Sequence, residues 1–170
     1  MENLFNWYAL YTRQSWEKKV ADLLTAKSIE NYCPLNRVYR EWSDRKKIIS
    51  VPLFTSYVFV RIDKKDQFQV RSTPGAINFV YWLKKPAIIR DDEIALIKKF
   101  LGEYENVQLE KITVQNGETV RVTNGALRGQ EGIVMSASGK MVKVKLPSLG
   151  FMMMAEVNSS DIEFLKQKAV

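Results

Sequence analysis

The sequence predicts an α+β protein in two parts: an amino-terminal α/β sandwich with an antiparallel sheet, and a small carboxy-terminal β-barrel. Three observations predict it. Over residues 1–101, apolar residues alternate between the strand period of two and the helical period of 3.6. Beyond residue 113 every periodic segment has the strand period. Between them, 102–112 carries Glu103, Glu105 and Glu110 with little periodicity and reads as a mobile linker.

The elements follow in order. Trp7-Tyr8-Ala9-Leu10-Tyr11-Thr12 is aromatic-rich and suits a first strand. A helix should start near Ser15 as N-cap, with Trp16, Val20, Leu23 and Leu24 on one face and Lys18, Asp22 and Lys27 elsewhere. Residues 30–42 read as extended, interrupted at Pro34. Ser43-Asp44-Arg45-Lys46-Lys47 is a polar turn, leading into strands at 48–51 and 57–62 around Pro52-Leu53-Phe54-Thr55-Ser56. A short helix at 66–71 runs into Pro74-Gly75 and a strand at 77–82. Asp91-Asp92-Glu93 places three acids where a helix N-terminus is positive, ahead of an Ile94, Ile97, Leu101 stripe.

In the carboxy-terminal part, Val120 and Val122 alternate with Arg121 and Thr123. Asn124-Gly125, Gly129 and Gly132 then supply turns and corners before Ile133-Val134. Further strands are expected at 142–146, 151–157 and 162–165. Within Met152-Met153-Met154, alternation should bury one face and leave one or two residues outward. A segment of about sixty residues is near the lower limit for independent folding, which closure of the sheet would help. Its β-branched residues and glycines disfavour a helical alternative, so a barrel is expected at rest.

Composition narrows the function. The chain has no histidine and a single cysteine, Cys33. That removes His-based acid–base catalysis, Cys/His or Ser/His nucleophile pairs and Cys/His metal clusters, and with them an expected enzyme, cofactor or metal. Asp91-Asp92 is better explained as a helix start than as a catalytic pair. An internal disulfide is impossible, and no apolar run is long enough to span a bilayer, so a cytoplasmic protein without membrane attachment is expected. The net charge is +7, of which +4 lies in residues 1–110 and +3 in 111–170, a balance permissive for nucleic acid.

The stretch from Gly117 to Val134 resembles the KOW motif of transcription elongation factors and ribosomal proteins. Preceded in order by Trp7-Tyr8-Ala9-Leu10-Tyr11, Pro52-Leu53-Phe54-Thr55-Ser56-Tyr57-Val58-Phe59-Val60, and Ser72-Thr73-Pro74-Gly75 with Phe79-Val80, it makes the chain resemble the NusG family over residues 6–165. The resemblance implies a NusG-type amino-terminal domain at 1–101, a linker at 102–112 and an SH3-like KOW barrel at 113–170. The short Ser43–Lys47 turn and Pro52-Leu53-Phe54 look more like the specialised antiterminator paralogues, RfaH-like and UpxY-like, than the housekeeping factor. Thr55-Ser56 departs from the Pro-Gly or Pro-Asn common in the family, which bears on the turn geometry.

The implied function is transcription elongation and antitermination, suppressing pausing and termination at particular operons such as capsule polysaccharide loci. The implied partner is the clamp-helix coiled coil of the largest RNA polymerase subunit, met by Tyr8, Leu10, Tyr11, Phe54, Tyr57 and Phe59. Strand alternation sends about half of these to the core, and Tyr11, Phe54 and Tyr57 are the preferred surface residues. A second surface, Arg13, Lys27, Arg71 and Thr73, is implied for the non-template DNA strand. In the barrel, Leu127, Leu149 and Phe151 would meet a small-subunit ribosomal protein or the termination factor Rho, although Gln130 stands where an aromatic is common. A monomer is expected. A KOW-containing RNA-binding protein of the ribosome or its assembly stays open as the alternative. It would concentrate cations on the barrel, whereas residues 111–170 here hold only +3.

Overall fold

The computed structural model describes residues 4–111, 118–122, 131–134, 141–156 and 162–164, with side chains for 4–110 and 144–155. Its strands and helices run β1 (Asn6–Thr12), α1 (Glu17–Ala26), β2 (Glu30–Tyr32), β3 (Leu35–Trp42), β4 (Arg45–Pro52) and β5 (Tyr57–Ile62), then α2 (Gln67–Arg71), β6 (Ala76–Phe79), β7 (Tyr81–Trp82), β8 (Lys85–Pro86), β9 (Ile88–Ile89) and α3 (Asp91–Glu103). They continue as β10 (Gln108–Lys111), β11 (Glu118–Val122), β12 (Glu131–Val134), β13 (Met141–Leu146), β14 (Phe151–Glu156) and β15 (Ile162–Phe164). Two compact units result, Met1–Leu35 with Pro52–Ala95, and Asn36–Val51 with Leu96–Val170.

The first unit is an antiparallel sheet in the order β2-β5-β1-β6, with β9 also paired to β1. Strand β1 lies at its centre and is buried at Trp7, Tyr8, Ala9 and Leu10 alike, so both faces are covered there. Its even positions face one core. Tyr8 and Leu10 join Val58, Val60 and Ile62 of β5, Val20, Ala21 and Leu24 of α1, Val70 of α2 and Phe79 of β6. Each such buried side chain stabilises by about 1.5–3 kcal/mol relative to exposure.

The N-cap of helix α1 falls one residue later than expected, at Trp16 rather than Ser15. Ser15 is left-handed (φ 65°), and the helix opens at Glu17 after Trp16. Its end is a Schellman motif made without glycine. Ser28 takes φ 59°, its N–H donates to Thr25 O at 2.9 Å, and the Ile29 N–H donates to Leu24 O at 3.0 Å. Leu24 and Ile29 both enter the core, and that contact offsets the cost of a left-handed serine. The strand expected over 77–82 is divided into β6 and β7 at Val80, whose N–H donates to Ala9 O. Leu83 and Lys84, both left-handed, form the β7–β8 turn.

In the second unit, β3 and β4 form a hairpin, and β10-β14-β13-β12-β11-β15 form a six-stranded antiparallel sheet. The strands expected near 120, 133, 142–146, 151–157 and 162–165 are thus present. The Asn124 to Gln130 loop, with Gly125 and Gly129, lies outside the described residues. Met152 and Met153 are both buried, so the expected outward residue reduces to half-buried Met154.

Of the linker expected over 102–112, the described residues 102–111 are structured. Helix α3 runs through Glu103, and 108–111 pair with β14. The buried Asn36 amide brackets the Val107 backbone, donating to its carbonyl at 2.8 Å and accepting from its N–H at 3.0 Å. Asn106 donates its N–H to Arg37 O at 2.8 Å and accepts from the Tyr39 N–H at 3.1 Å. Glu105 pairs with Arg37 at 3.6 Å and accepts from the Tyr39 hydroxyl, which raises that phenol's pKa.

Candidate functional site

Two exposed clusters emerge on the first unit, each held by elements distant in sequence. The first is a tyrosine pair. Cross-strand register sets Tyr11 of β1 opposite Tyr57 of β5, on the sheet face away from Tyr8 and Leu10. Their rings lie 4.6 Å apart, and the Tyr57 hydroxyl donates to the Tyr11 hydroxyl at 2.9 Å. Burial first, then that hydrogen bond, pushes the Tyr57 phenol up to about 12. Tyr11 remains 39% exposed, presenting an aromatic edge with a polar tip.

Four of the six apolar site residues expected on that surface are buried. Tyr8 and Leu10 face the α1 core because even positions of β1 share that face. Phe59 shares the Tyr57 face of β5 but is buried. Phe54, expected at the surface, is 4% exposed and packs edge-to-face on Phe59, ring centroids 5.3 Å apart, so this loop aromatic belongs to the core. The turn that carries it is closed by an unusual pair. Ser56 is left-handed (φ 65°) where the family pattern favours other residues, and its N–H donates at 2.7 Å to the buried Glu17 carboxylate. Only Tyr11 and Tyr57 are left to offer contact.

The second cluster centres on Trp16. Lys19 Nζ sits 4.1 Å and the Arg13 guanidinium carbon 5.6 Å from its ring. Gly75 (φ 87°) seats the ring: a Cβ there would lie 2.5 Å from Trp16 Cε3. The Arg13 N–H donates to Gly75 O at 2.9 Å. Arg71 is exposed at the end of α2, just before the Ser72–Gly75 turn. Lys27 and Thr73 do not belong with them. Thr73 is buried and accepts from Lys27 Nζ at 3.0 Å, while Gln69 O accepts from the same amine at 3.3 Å. These two residues fasten α1 to α2. Trp16 packs half-buried against the core, as its place in the apolar stripe predicts, and it is the cations over its other side, Lys19 and Arg13, that helical spacing does not reveal.

Leu149, in a 3-10 turn at Pro147–Leu149, and Phe151 are half-buried, while Leu127 lies outside the described residues. Burial pushes the Cys33 thiol up to about 11, leaving little thiolate at neutral pH. Among the described residues no acidic or Cys cluster could hold a metal, and no helix is long and apolar enough to cross a membrane.

The tyrosine pair gives a direct readout. The raised Tyr57 phenol pKa stabilises the folded state below pH about 10, a contribution lost as pH rises through about 12. Tyr11→Phe removes the acceptor but little burial, so Tyr57 should ionise at a lower pH than in the parent, though still above its ordinary value. Phenolate absorbance against pH checks this; an unmoved transition would show that the hydroxyl contact contributes nothing.

Comparison with known proteins gives a consistent picture. The family described as Transcription termination factor nusG matches residues 5–98. The transcription termination/antitermination protein NusG of Streptococcus pyogenes is 28% identical, the match covering 89% of this chain and 91% of that one. Its Deinococcus radiodurans counterpart is 23% identical over 82% of this chain and 87% of its own. The solved structure titled Domain interaction in Thermotoga maritima NusG shares the fold, with a TM-score of 0.54 at 22% identity over 95% of this chain and 98% of that one.

Proposed function

This chain belongs to the NusG family of transcription factors, which are not enzymes, and from that premise we propose that it grips the clamp helices of the largest RNA polymerase subunit and suppresses pausing and termination. Family members bind RNA polymerase. The observation that carries the clamp-helix reading is the Tyr11–Tyr57 pair, an exposed tyrosine hydrogen-bonded to a half-buried one, forming an amphipathic patch on the sheet face away from α1. The Trp16 cluster adds a basic surface for the non-template strand, with Arg13, Lys19 and Arg71 on phosphates and the Trp16 edge available to bases. Residues 113–170 would act as the KOW barrel, with Leu127, Leu149 and Phe151 toward a ribosomal protein or Rho. An operon-specific role, as at capsule loci, is the form of this function that the short β3–β4 connection favours, reduced from the expected Ser43–Lys47 turn to Ser43–Asp44 because Arg45–Lys47 already pair within β4. Binding would favour the closed, elongation-competent polymerase by differential affinity.

Recruitment to stalled elongation complexes tests the reading. Tyr11→Ala should weaken it by roughly thirtyfold, the effect of losing an interface anchor worth about 2 kcal/mol. Arg13→Ala with Arg71→Ala should flatten the salt dependence of association with the complex yet leave binding to an isolated clamp-helix peptide intact. Full recruitment of the Tyr11 variant would refute the clamp assignment, and equal loss in both assays would refute the DNA assignment.

A further inference from the structure

The β3–β4 hairpin carries a second basic aromatic surface that the clamp and bubble contacts do not use. Its two-residue connection, Ser43–Asp44, sets Trp42 opposite Arg45, Glu41 opposite Lys46 and Arg40 opposite Lys47. Two contacts agree with that register. Lys46 reaches Glu41 across the strands at 3.7 Å, and Lys47 Nζ lies 5.8 Å from the Trp42 ring along the diagonal.

Alternation then sorts the charges. One face carries Asn36, Val38, Ile49 and Val51 toward the hairpin base, buried or half-buried. Continuing outward, the same face carries Arg40, Trp42, Arg45 and Lys47, all exposed, with Trp42 at 62%. The opposite face holds the paired Glu41 and Lys46, together with Arg37 and Tyr39, which are both engaged by Glu105. Asp44 in the turn is 3.9 Å from Arg45, but both side chains are more than 70% exposed, a pair that neutralises little. The outer face is therefore a tryptophan ringed by three cations, with no carboxylate among its strand residues.

We propose that this face binds single-stranded nucleic acid, with Trp42 stacking on an unpaired base while Arg40, Arg45 and Lys47 hold the adjoining phosphates. Charge complementarity selects a polyanion, and the exposed indole selects one with accessible bases. The assignment is independent of the polymerase reading, because it concerns the free protein. It also explains why the base is anchored. Asn36 bracketing Val107 and the Arg37–Asn106 bond hold the hairpin's inner end, leaving the outer face to project.

The test is fluorescence anisotropy of a short labelled single strand with the full chain, in an Arg13→Ala/Lys19→Ala/Arg71→Ala background that removes the cations of the first basic surface. Trp42→Ala should weaken binding roughly tenfold, with Trp42→Phe restoring most of it. Lys47→Ala and Lys46→Ala change the net charge equally but lie on opposite faces. Lys47→Ala should weaken binding and reduce the salt slope by about 0.7, whereas Lys46→Ala should alter neither. Any of three results would overturn the proposal: equal loss for the two lysine variants, unchanged binding for Trp42→Ala, or competition by polyglutamate as effective as unlabelled strand. Duplex of the same sequence binding as tightly as the single strand would likewise remove the stacking role. Melting curves for each variant separate these outcomes from a damaged hairpin.

Discussion

Phe54→Ala is expected to lower the melting temperature sharply. The ring is 4% exposed, seated edge-to-face on buried Phe59, and beside it Leu53 is buried with its N–H donated to Pro34 O at 2.8 Å. Truncating a buried phenylalanine costs about 3–5 kcal/mol, the lost transfer energy plus the cavity left behind. For a unit of this size that corresponds to a fall of roughly 12 °C or more. Recruitment to polymerase should fail at temperatures where the variant unfolds and recover below them. Phe54→Leu, which keeps most of the volume, should lose much less. Circular dichroism melts of the three proteins decide the matter. An unchanged melting temperature with recruitment lost at all temperatures would mean that Phe54 leaves its seat to meet the partner, and the burial argument would be wrong.

Gly75→Ala is expected to have an effect of similar size through a different mechanism. Gly75 adopts φ 87°, which costs an alanine about 1–2 kcal/mol. The added Cβ would lie 2.5 Å from Trp16 Cε3 and 2.9 Å from Val20 Cγ2. Val20 is fully buried in the core and cannot yield, so the Trp16 ring must move. Forced overpacking adds about 1–3 kcal/mol. The functional consequence follows from what the ring carries. Displacing Trp16 scatters Arg13 and Lys19, so association with a paused complex should weaken and lose part of its salt slope. Trp16→Leu in the Gly75→Ala background should restore stability partly, relieving the clash but not the backbone cost, without restoring the salt slope. A Gly75→Ala protein with parental melting temperature would show that the turn is not held against Trp16.

The order and type of the elements were legible because their causes are local. Strand period in β1 and β5, acids at the start of α3, and Pro74-Gly75 before β6 act within a few residues. The family was legible for the same reason, since its motifs are contiguous stretches in a fixed order. Boundaries moved where local rules compete. Ser15 looks like an N-cap, yet the helix waits for Glu17, whose carboxylate is taken by Ser56 N–H from thirty-nine residues away.

The site was much less legible. Tyr8, Leu10, Tyr11, Phe54, Tyr57 and Phe59 look alike as aromatic or apolar residues near two strands, and alternation alone only halves the set. Register between β1 and β5 decided that Tyr11 and Tyr57 share an edge, and coverage of both sheet faces removed Phe54 and Phe59 from the surface. Lys27 and Thr73, plausible phosphate ligands by position, spend their polar groups on each other across forty-six residues. Trp16 became a platform for cations because Gly75, far along the chain, leaves room for its ring. Residues 102–112 carry acids that read as solvated linker, until Asn36 and Arg37 are folded against 106 and 107 and β14 pairs with β10. The sequence by itself determined most of the elements, their order and the family, since these depend on neighbours along the chain; β8, β9 and β10 exist only through pairing with β7, β1 and β14. Exposure, pairing and charge neutralisation depend on neighbours in space, and the tertiary structure alone decided them.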